Sequence, residues 1–190
     1  MYSLFIDTHD KKVVIVLFKD GKYLDKFEDI SMNKHSVITM PAIRILLDKN
    51  NLLVNQISEI LVVNGPGSFT GERIAVTIGK TMAYLLNLPI KTIDALSLIA
   101  VNLTGDKKFV SVPDRNGAFV GVFDSNNKLI DDIRYVGNEE YKLLTSENTY
   151  CSEIDIEYDL VYAYLEDKEA LNPHEVKPLY IKGISALNGK

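Results

Sequence analysis

The sequence is poor in the side chains that build disulfides and metal centres. It contains one cysteine, Cys151, and three histidines, His9, His35 and His174. A single cysteine cannot close a disulfide within the chain, and no cysteine pair is available to hold zinc. The histidines are too scattered to place two imidazoles on one helix face. We therefore expect no metal site, and no reactive thiol, because Cys151 has no positively charged neighbour in sequence.

The sequence also lacks long apolar runs and an excess of positive charge. Its longest apolar run, residues 13–18, is far shorter than the ~20 residues that cross a bilayer. No basic residue precedes the first apolar stretch, which argues against a signal peptide and favours a cytoplasmic protein. With 21 Lys and Arg against 26 Asp and Glu, the net charge is −5. Because nucleic-acid binding depends mainly on neutralising phosphates, we expect a partner to hold any RNA.

The rest of the composition is that of a globular protein. The chain has 190 residues, of which 46% are hydrophobic and 25% charged. These values favour one domain or two small lobes over a disordered chain. The pattern of apolar and polar residues changes at a polar linker near residue 105. We therefore predict a first lobe at 1–104 and a smaller second lobe at 105–190, whose last residues pack back on the first.

The first strands are predicted to form antiparallel hairpins. Apolar, partly β-branched runs alternate with turn signals such as Asp20-Gly21. Helical spacing then begins at His35, with Val37 and Met40 on the expected core-facing stripe and Pro41 in the first turn or at a bend. The predicted strands cover residues 3–6, 13–18 and 23–27.

A parallel crossover follows in the predicted order. The continuous apolar run at residues 60–63 predicts a fully buried strand over residues 57–63. A long helix and another strand come next, and this alternation predicts a right-handed parallel connection. Asp94 is the expected N-cap of a further helix. Beyond residue 137 the pattern weakens, and nothing is assigned to residues 137–177. The remaining predicted elements are a helix at 71–86, a strand at 89–93, a helix at 94–103, and strands at 109–112, 118–123 and 128–135.

The most informative stretch is a glycine-rich loop between the buried strand and the long helix. Glycines permit positive φ and close backbone approach, and free N–H groups at a helix start favour anions. Ser68 or Thr70 can cap the helix. On spacing alone, chain reversal and capping are the favoured interpretation. The triplet Gly79-Lys80-Thr81 is not a Walker loop, because it falls inside the helix. The loop consists of Gly65, Pro66, Gly67, Ser68, Phe69, Thr70 and Gly71.

The helix after the loop carries small residues at a spacing of four. Ala75, Gly79 and Ala83 share one face, which predicts that another element packs closely there. A glycine in mid-helix lowers the stability of the helix by about 1 kcal/mol relative to alanine. The close approach of another element would explain why a glycine stands at position 79. The neighbour is either a partner protein or this chain's own helix or sheet, and the sequence leaves both open.

These residues resemble the bacterial TsaB (YeaZ) family. The loop from Gly65 to Gly71 is its most specific mark, and Arg73 follows at the matching position. Four positions depart from the family pattern: His9 stands where serine is usual, Glu72 where leucine is usual, and Ala118 and Phe119 where glutamate and tyrosine are common. Weaker matches in the same order are His35-Ser36, Pro41, Leu88-Pro89, Ala95-Leu96-Ser97, residues 114–117 and residues 178–182.

The resemblance implies an α/β, actin-like, ribonuclease H-like two-lobe fold of the sugar kinase, Hsp70 and actin superfamily. It also implies a role in making N6-threonylcarbamoyladenosine beside the tRNA anticodon. In that system the paralogue TsaD transfers the threonylcarbamoyl group, and TsaB is a non-catalytic partner that pairs with TsaD through its first lobe. A small ATPase, TsaE, joins the complex. The tRNA is then bound through the complex, ATP or ADP with magnesium is possible at the interface, and the free chain is expected to form a homodimer.

The resemblance places the partner interface on the loop and the helix after it. We expect this chain to have no catalytic residues of its own, and we assign it no cofactor. The predicted interface residues are Gly65, Pro66, Gly67, Ser68, Phe69, Thr70, Gly71, Arg73, Ala75, Gly79 and Ala83.

The alternative function is an independent ATP-dependent enzyme of the same superfamily. Members that hydrolyse ATP position phosphate and magnesium with an acidic turn after the first strand, and Asp7 and Thr8 occupy that place. A turn carboxylate that caps local N–H groups is the favoured interpretation of Asp7. A peptidase is not favoured, because the adjacent His35 and Ser36 do not form a triad, and capping of a helix start explains His35 better.

Overall fold

The first half of the chain folds into a five-stranded sheet of mixed direction. The computed structural model describes residues 1–30 and 34–181. The strand order is β3-β2-β1-β4-β5. The three strands β1 to β3 are antiparallel, and β4 and β5 run parallel to β1. The predicted hairpins and the parallel crossover are confirmed. The strands are β1 (Tyr2–Asp7), β2 (Lys12–Lys19), β3 (Lys22–Ile30), β4 (Ile57–Val63) and β5 (Ile90–Ile93).

Two helices pack on one face of this sheet. They are α1 (His35–Lys49) and α2 (Phe69–Leu86), and they contact each other. Side chains alternate across a strand, so Leu4 and Ile6 of β1 face these helices. Pro41 lies inside α1, beyond the first turn. Ser68 caps α2, since its Oγ accepts from the Gly71 N–H at 3.2 Å.

The opposite face of the sheet shares a core with the second half of the chain. Phe5 of β1 belongs to one apolar cluster with residues of α3 (Ala95–Ala100), including Leu96. Asp94 caps α3 as predicted, accepting from the Ser97 N–H at 2.8 Å. The same cluster continues into the second sheet and the last helix.

The second half contains a three-stranded antiparallel sheet and two helices. The strands β6 (Lys107–Asp114), β7 (Gly117–Asp124) and β8 (Leu129–Gly137) lie in sequence order. The helices α4 (Asn138–Glu147) and α5 (Tyr158–Glu166) occupy the segment to which the sequence assigned nothing. The division at residue 105 stays a prediction. None of the helices described is long and apolar enough to cross a membrane.

Candidate functional site

The glycine-rich loop is seated directly on the turn after β1. The Ser68 N–H donates to the His9 carbonyl at 2.6 Å. A Cβ at Gly67 would lie 2.3 Å from that same oxygen, and one at Gly71 would lie 1.9 Å from the Thr8 carbonyl oxygen. Real Cβ atoms do not approach backbone that closely. These two glycines are therefore required by the contact between loop and turn.

Thr8 fastens the start of α2 to the end of β1. Its side chain is fully buried. The hydroxyl donates to the Gly71 carbonyl at 2.6 Å and accepts from the Ala75 N–H at 3.2 Å. Both roles of the hydroxyl are thus filled within the protein, so Thr8 does not fit the phosphate-binding role considered from the sequence.

We expect Thr8→Val to lower the free energy of unfolding by about 1–3 kcal/mol, because an isosteric methyl group leaves buried polar groups without their partner. Thr8→Ser keeps the hydroxyl and serves as the control. Urea denaturation of both variants measures the difference. A Thr8→Val variant as stable as the parent would show that the hydroxyl does not hold this junction.

Asp7 is occupied by the turn that follows it. One carboxylate oxygen, Oδ1, accepts from the His9 N–H at 3.0 Å and lies 2.6 Å from His9 Nδ1. Burial opposes a charged imidazolium here, but the carboxylates of Asp7, Asp10 and Glu72 together outweigh it and raise the pKa of His9 above its ordinary value. This arrangement matches the turn-capping interpretation of Asp7.

His35 also belongs to this turn and not to a helix cap. Its Nε2 lies 2.7 Å from the Asp10 carbonyl oxygen, and α1 has no side-chain cap. The predicted capping role of His35 is therefore wrong. The ring instead ties the start of α1 to the β1–β2 turn.

Glu72 lies beneath the loop and not on its surface. Only 3% of the residue is exposed, and a Cβ on Gly65 would lie 2.4 Å from its Oε2. Gly65 also has a φ of +99°, which favours glycine. Burial raises the pKa of Glu72 to about 7, although Arg73, a hydrogen bond from the Gly67 backbone and His9 act in the opposite direction. Glu72, which stands where leucine is usual in the family, therefore alters the interior beneath the loop and not the exposed surface.

Arg73 points outward and lies over the Phe69 ring, with Tyr180 beside both side chains. Its guanidinium carbon lies 3.6 Å from the centre of the Phe69 ring and 5.5 Å from that of Tyr180. Its Nε donates to the Tyr180 hydroxyl at 2.8 Å. Phe69 is 43% exposed and Tyr180 53%. Of the predicted loop interface, Ser68, Phe69, Thr70 and Arg73 face solvent, whereas Gly65, Pro66 and Gly71 are buried and Gly67 is half-buried.

The small-residue face of α2 packs against the protein's own sheet. Ala75, Gly79 and Ala83 are all buried. A Cβ on Gly79 would lie 2.4 Å from Val62 Cγ2 of β4. No partner can reach this face without unfolding the core, so the prediction that it docks a partner is wrong. The intramolecular alternative, with the sheet as the neighbour, is correct.

The outer faces of α1 and α2 expose several large apolar side chains, of which the sequence predicted only Phe69 as an interface residue. On α1, Val37 and Met40 are exposed, although the sequence assigned both to the core-facing stripe. On α2, Leu85 is 72% exposed. The available signal was the presence of apolar residues on more than one face of each helix. We call this set the outer helix face. Its members are Val37, Met40, Ile45, Phe69, Tyr84 and Leu85.

A cleft of about 590 Å³ opens beside Asp7, between the β1–β3 sheet and residues 152–158. Its walls carry more carboxylates than amines, and both amines are engaged: Lys12 and Lys26 each pair with Glu28, at 2.6 and 2.7 Å. A phosphate would meet mainly negative charge there. No group of three potential ligands is close enough to hold a metal ion within residues 1–30 and 34–181. The charged wall residues are Asp7, Asp10, Lys12, Lys26, Glu28, Glu153 and Asp155.

Comparison with known proteins gives a consistent result. The family model TsaD, described as tRNA N6-adenosine threonylcarbamoyltransferase, matches residues 29–154. The chain is 31% identical over 136 residues to the tRNA threonylcarbamoyladenosine biosynthesis protein TsaB of Bacillus subtilis. It is 29% identical over 100 residues to the protein of the same name from Escherichia coli.

The matched parts of these relatives differ in extent. The alignments cover 70% and 53% of this chain, but only 59% and 43% of the respective relatives. An uncharacterized Mycoplasma pneumoniae protein, the MG208 homolog, is 26% identical and is covered over 95% of both chains. The chain thus spans little more than half the length of the Bacillus subtilis protein.

The solved structure of YeaZ from Pseudomonas aeruginosa has a similar fold. Its TM-score is 0.78 at 17% identity, covering 94% of this chain and 99% of that one. Together with the sheet topology, this likeness confirms the predicted actin-like, ribonuclease H-like α/β fold. Because the family model covers most of the chain and the TsaB relatives agree with it, the chain belongs to the TsaB (YeaZ) family.

Proposed function

We propose that this protein takes part in the biosynthesis of N6-threonylcarbamoyladenosine in tRNA, as a non-catalytic subunit that pairs with a TsaD-like transferase. Family membership supports the pathway, since the curated relatives are named for that process. The observation that carries the pairing is the outer helix face. An apolar surface of this kind, formed by two adjacent helices on one side of a sheet, is typical of a docking site.

The outer helix face has the chemistry of an interface core. Its members are aliphatic, aromatic or thioether side chains, the types that supply most of the energy at protein interfaces. Fully burying one such side chain contributes about 1.5–3 kcal/mol. Arg73, which lies against Phe69, adds a guanidinium group, so the interface proposed here includes the start of α2, its last turn and α1.

The other parts of the proposal follow from the family. A TsaE-like ATPase joins the pair, tRNA is bound through the complex, and the free chain forms a homodimer by the same apolar surface. Any ATP or ADP with magnesium lies at the complex interface, and the protein works in the cytoplasm.

The alternative of an independent ATP-dependent enzyme has weaker support. Asp7 and Thr8 stand at the required place, but both are engaged in holding the turn and α2. The adjoining cleft is predominantly acidic. Calorimetric titration of the isolated chain with ATP and magnesium separates the two functions, because tight binding would favour the enzyme.

The direct test is reconstitution with the TsaD-like transferase of the same organism. We expect the two proteins to co-purify, and the modification of tRNA by the mixture to depend on this chain. Unchanged modification when this chain is omitted would overturn the proposed role, whereas dependence on it without stable pairing would overturn only the scaffold mechanism.

Charge placed on the outer helix face should weaken pairing with the TsaD-like transferase. We expect Met40→Arg and Leu85→Arg each to lower the affinity at least about tenfold, because a buried, unpaired guanidinium opposes association. Both side chains are exposed in the free chain, so folding should be unaffected. Leu143→Arg on α4 is the matched control, since Leu143 is 67% exposed and lies on the second half of the chain. Calorimetry measures the affinities, and equal loss in all three variants would contradict this surface assignment.

A further inference from the structure

A segment that follows α5 returns to the first half of the chain and holds Tyr180 beside the glycine-rich loop. Its backbone is bonded there, since the Leu179 N–H donates to the Asn64 carbonyl at 2.8 Å. Ile181 packs against the apolar core that the sheet shares with the second half of the chain. The position of Tyr180 is therefore fixed, although the residue is 53% exposed. The described residues end at Ile181, so Lys182, the last residue of the family resemblance, lies outside them.

The fixed tyrosine orients the guanidinium of Arg73. The Arg73 Nε donates to the Tyr180 hydroxyl at 2.8 Å, and the guanidinium carbon lies 3.6 Å from the centre of the Phe69 ring. A hydrogen bond at Nε and a ring against one face together restrict an otherwise flexible side chain. A group that is ordered before binding loses less conformational entropy when a partner arrives. Arg73 is thus prepared for a contact while it remains exposed to solvent.

The far end of this guanidinium has no acceptor in the part of the chain that the structure describes. Its terminal nitrogens, Nη1 and Nη2, make no hydrogen bond there, and no carboxylate of that part is close enough to form an ion pair. Glu72, the neighbour in sequence, is buried beneath the loop. The two nitrogens present their N–H groups in one plane, the arrangement that binds a carboxylate through two parallel hydrogen bonds.

Docking of the proposed partner would remove water from this guanidinium. Phe69 belongs to the outer helix face, and Arg73 lies over its ring. A charge that loses water without gaining a counter-charge opposes association. Arg73 is also the only exposed charged residue within residues 65–73. The partner surface must therefore supply one anionic acceptor at this position.

We propose that the TsaD-like partner places an aspartate or glutamate carboxylate against Nη1 and Nη2 of Arg73. One guanidinium matches the single charge of a carboxylate, whereas a phosphate carries more charge and more acceptor oxygens. The other cation of α2, Lys80, is engaged elsewhere, because its Nζ donates to the carbonyls of His174 and Val176 at 3.5 and 3.2 Å. The inference rests on the proposed pairing and adds the chemistry of the partner surface.

Removal of the guanidinium should weaken the pairing. In calorimetric titrations with the TsaD-like transferase, without nucleotide or tRNA, we expect Arg73→Gln to raise the dissociation constant at least about tenfold. Arg73→Lys keeps the charge but loses the planar fork, so it should recover only part of the affinity. Arg115→Gln replaces an exposed arginine between β6 and β7, and as the matched control it should bind like the parent. Urea denaturation checks that each variant folds like the parent.

The partner's carboxylate is identified by combining these variants with substitutions in the transferase. Each exposed Asp or Glu of the transferase is changed in turn to Asn or Gln, and the product is titrated with the parent chain and with Arg73→Gln. For one position we expect at least about a tenfold loss of affinity with the parent and less than about a twofold loss with Arg73→Gln. The difference arises because an ion pair that is already broken cannot be broken again.

The outcomes are distinguishable. Coupling of Arg73 to one carboxylate of the transferase supports the inference. If the parent binds and Arg73→Gln binds equally well, or binds more weakly but couples to no carboxylate, the inference is overturned while the pairing stands. A loss that appears only after ATP or tRNA is added assigns the anion to a phosphate and also overturns it. If the parent itself does not bind the transferase, the proposed pairing is overturned, and the inference with it.

Discussion

Gly71→Ala is expected to lower the free energy of unfolding by about 3 kcal/mol, although alanine is the better helix former by about 1 kcal/mol. The substitution is destabilising despite this helix propensity, because the added Cβ would lie 1.9 Å from the carbonyl oxygen of Thr8. That oxygen has little room to move, since Thr8 directly follows the buried strand β1 and its own hydroxyl donates to the Gly71 carbonyl. The clash must separate the loop from the turn after β1.

Urea denaturation of the purified variant measures this effect. Gly137→Ala is the matched control, because no atom lies within 4 Å of a Cβ added there. We expect that control to change stability by less than about 1 kcal/mol. A Gly71→Ala variant as stable as the parent would show that the loop does not approach the turn this closely. Partner binding by the variant should also fall, since the loop carries Phe69.

The sequence was sufficient for the succession of strands along the chain and for the directions of the hairpins and the crossover. Apolar runs of suitable length separated by turn signals are local features, so the hairpins and the crossover could be predicted directly. The glycine-rich loop could also be placed, because it stands between a buried strand and a helix. Its resemblance to a known family then gave the fold class.

The neighbours that the loop and α2 contact could not be predicted in the same way. The spacing of Ala75, Gly79 and Ala83 correctly predicts close packing, but a helix pattern does not say which body packs there. The sheet takes that position, and the opposite side of α2 is left for a partner. Val37 and Met40 show the same limit, because a stripe of apolar residues on α1 is wide enough to reach both the core and solvent.

For residues 171–181 the sequence allowed only the general expectation that the last residues pack back on the first lobe, and no particular contact could be named. The contacts of this segment join residues far apart in the chain, such as Val176 with the core beside α2 and Tyr180 with Arg73. Each contact is made by a single side chain with no periodic pattern around it. By contrast, α5 had a usable signal, since Tyr158, Val161, Tyr162 and Leu165 follow helical spacing and lie against the core.

The buried Glu72 makes the loop sensitive to pH, and the sign of this effect can be worked out. Its pKa is about 7 in the folded protein against an ordinary 4.5, so between these values the folded state binds the proton more tightly than the unfolded state. The unfolding free energy must therefore fall as pH rises from 4.5 to 7, and the loss is complete above 7. The complete loss of unfolding free energy from this group is about 3 kcal/mol.

His9 acts in the same direction. Its pKa is also raised in the folded protein, so its stabilising contribution is complete below the ordinary value of 6.5 and is lost as pH rises through the folded value. Asp25 and Glu28 have lowered pKa values and affect stability only in more acidic solution. Over the range from about pH 5 to 8, Glu72 and His9 thus determine how the unfolding free energy changes with pH.

Glu72→Gln isolates the carboxyl contribution, because the amide cannot ionise but can still accept a hydrogen bond from the Gly67 backbone. We expect the unfolding free energy of the parent to fall by about 2–3 kcal/mol from pH 5 to 8, and that of the variant to fall much less. The variant should therefore be the more stable protein at pH 8. Glu139→Gln on α4, where the side chain is exposed, should follow the parent. Parallel curves for parent and Glu72→Gln would mean that the carboxyl reaches solvent, and the close seating of Gly65 over Glu72 would have to be abandoned with it.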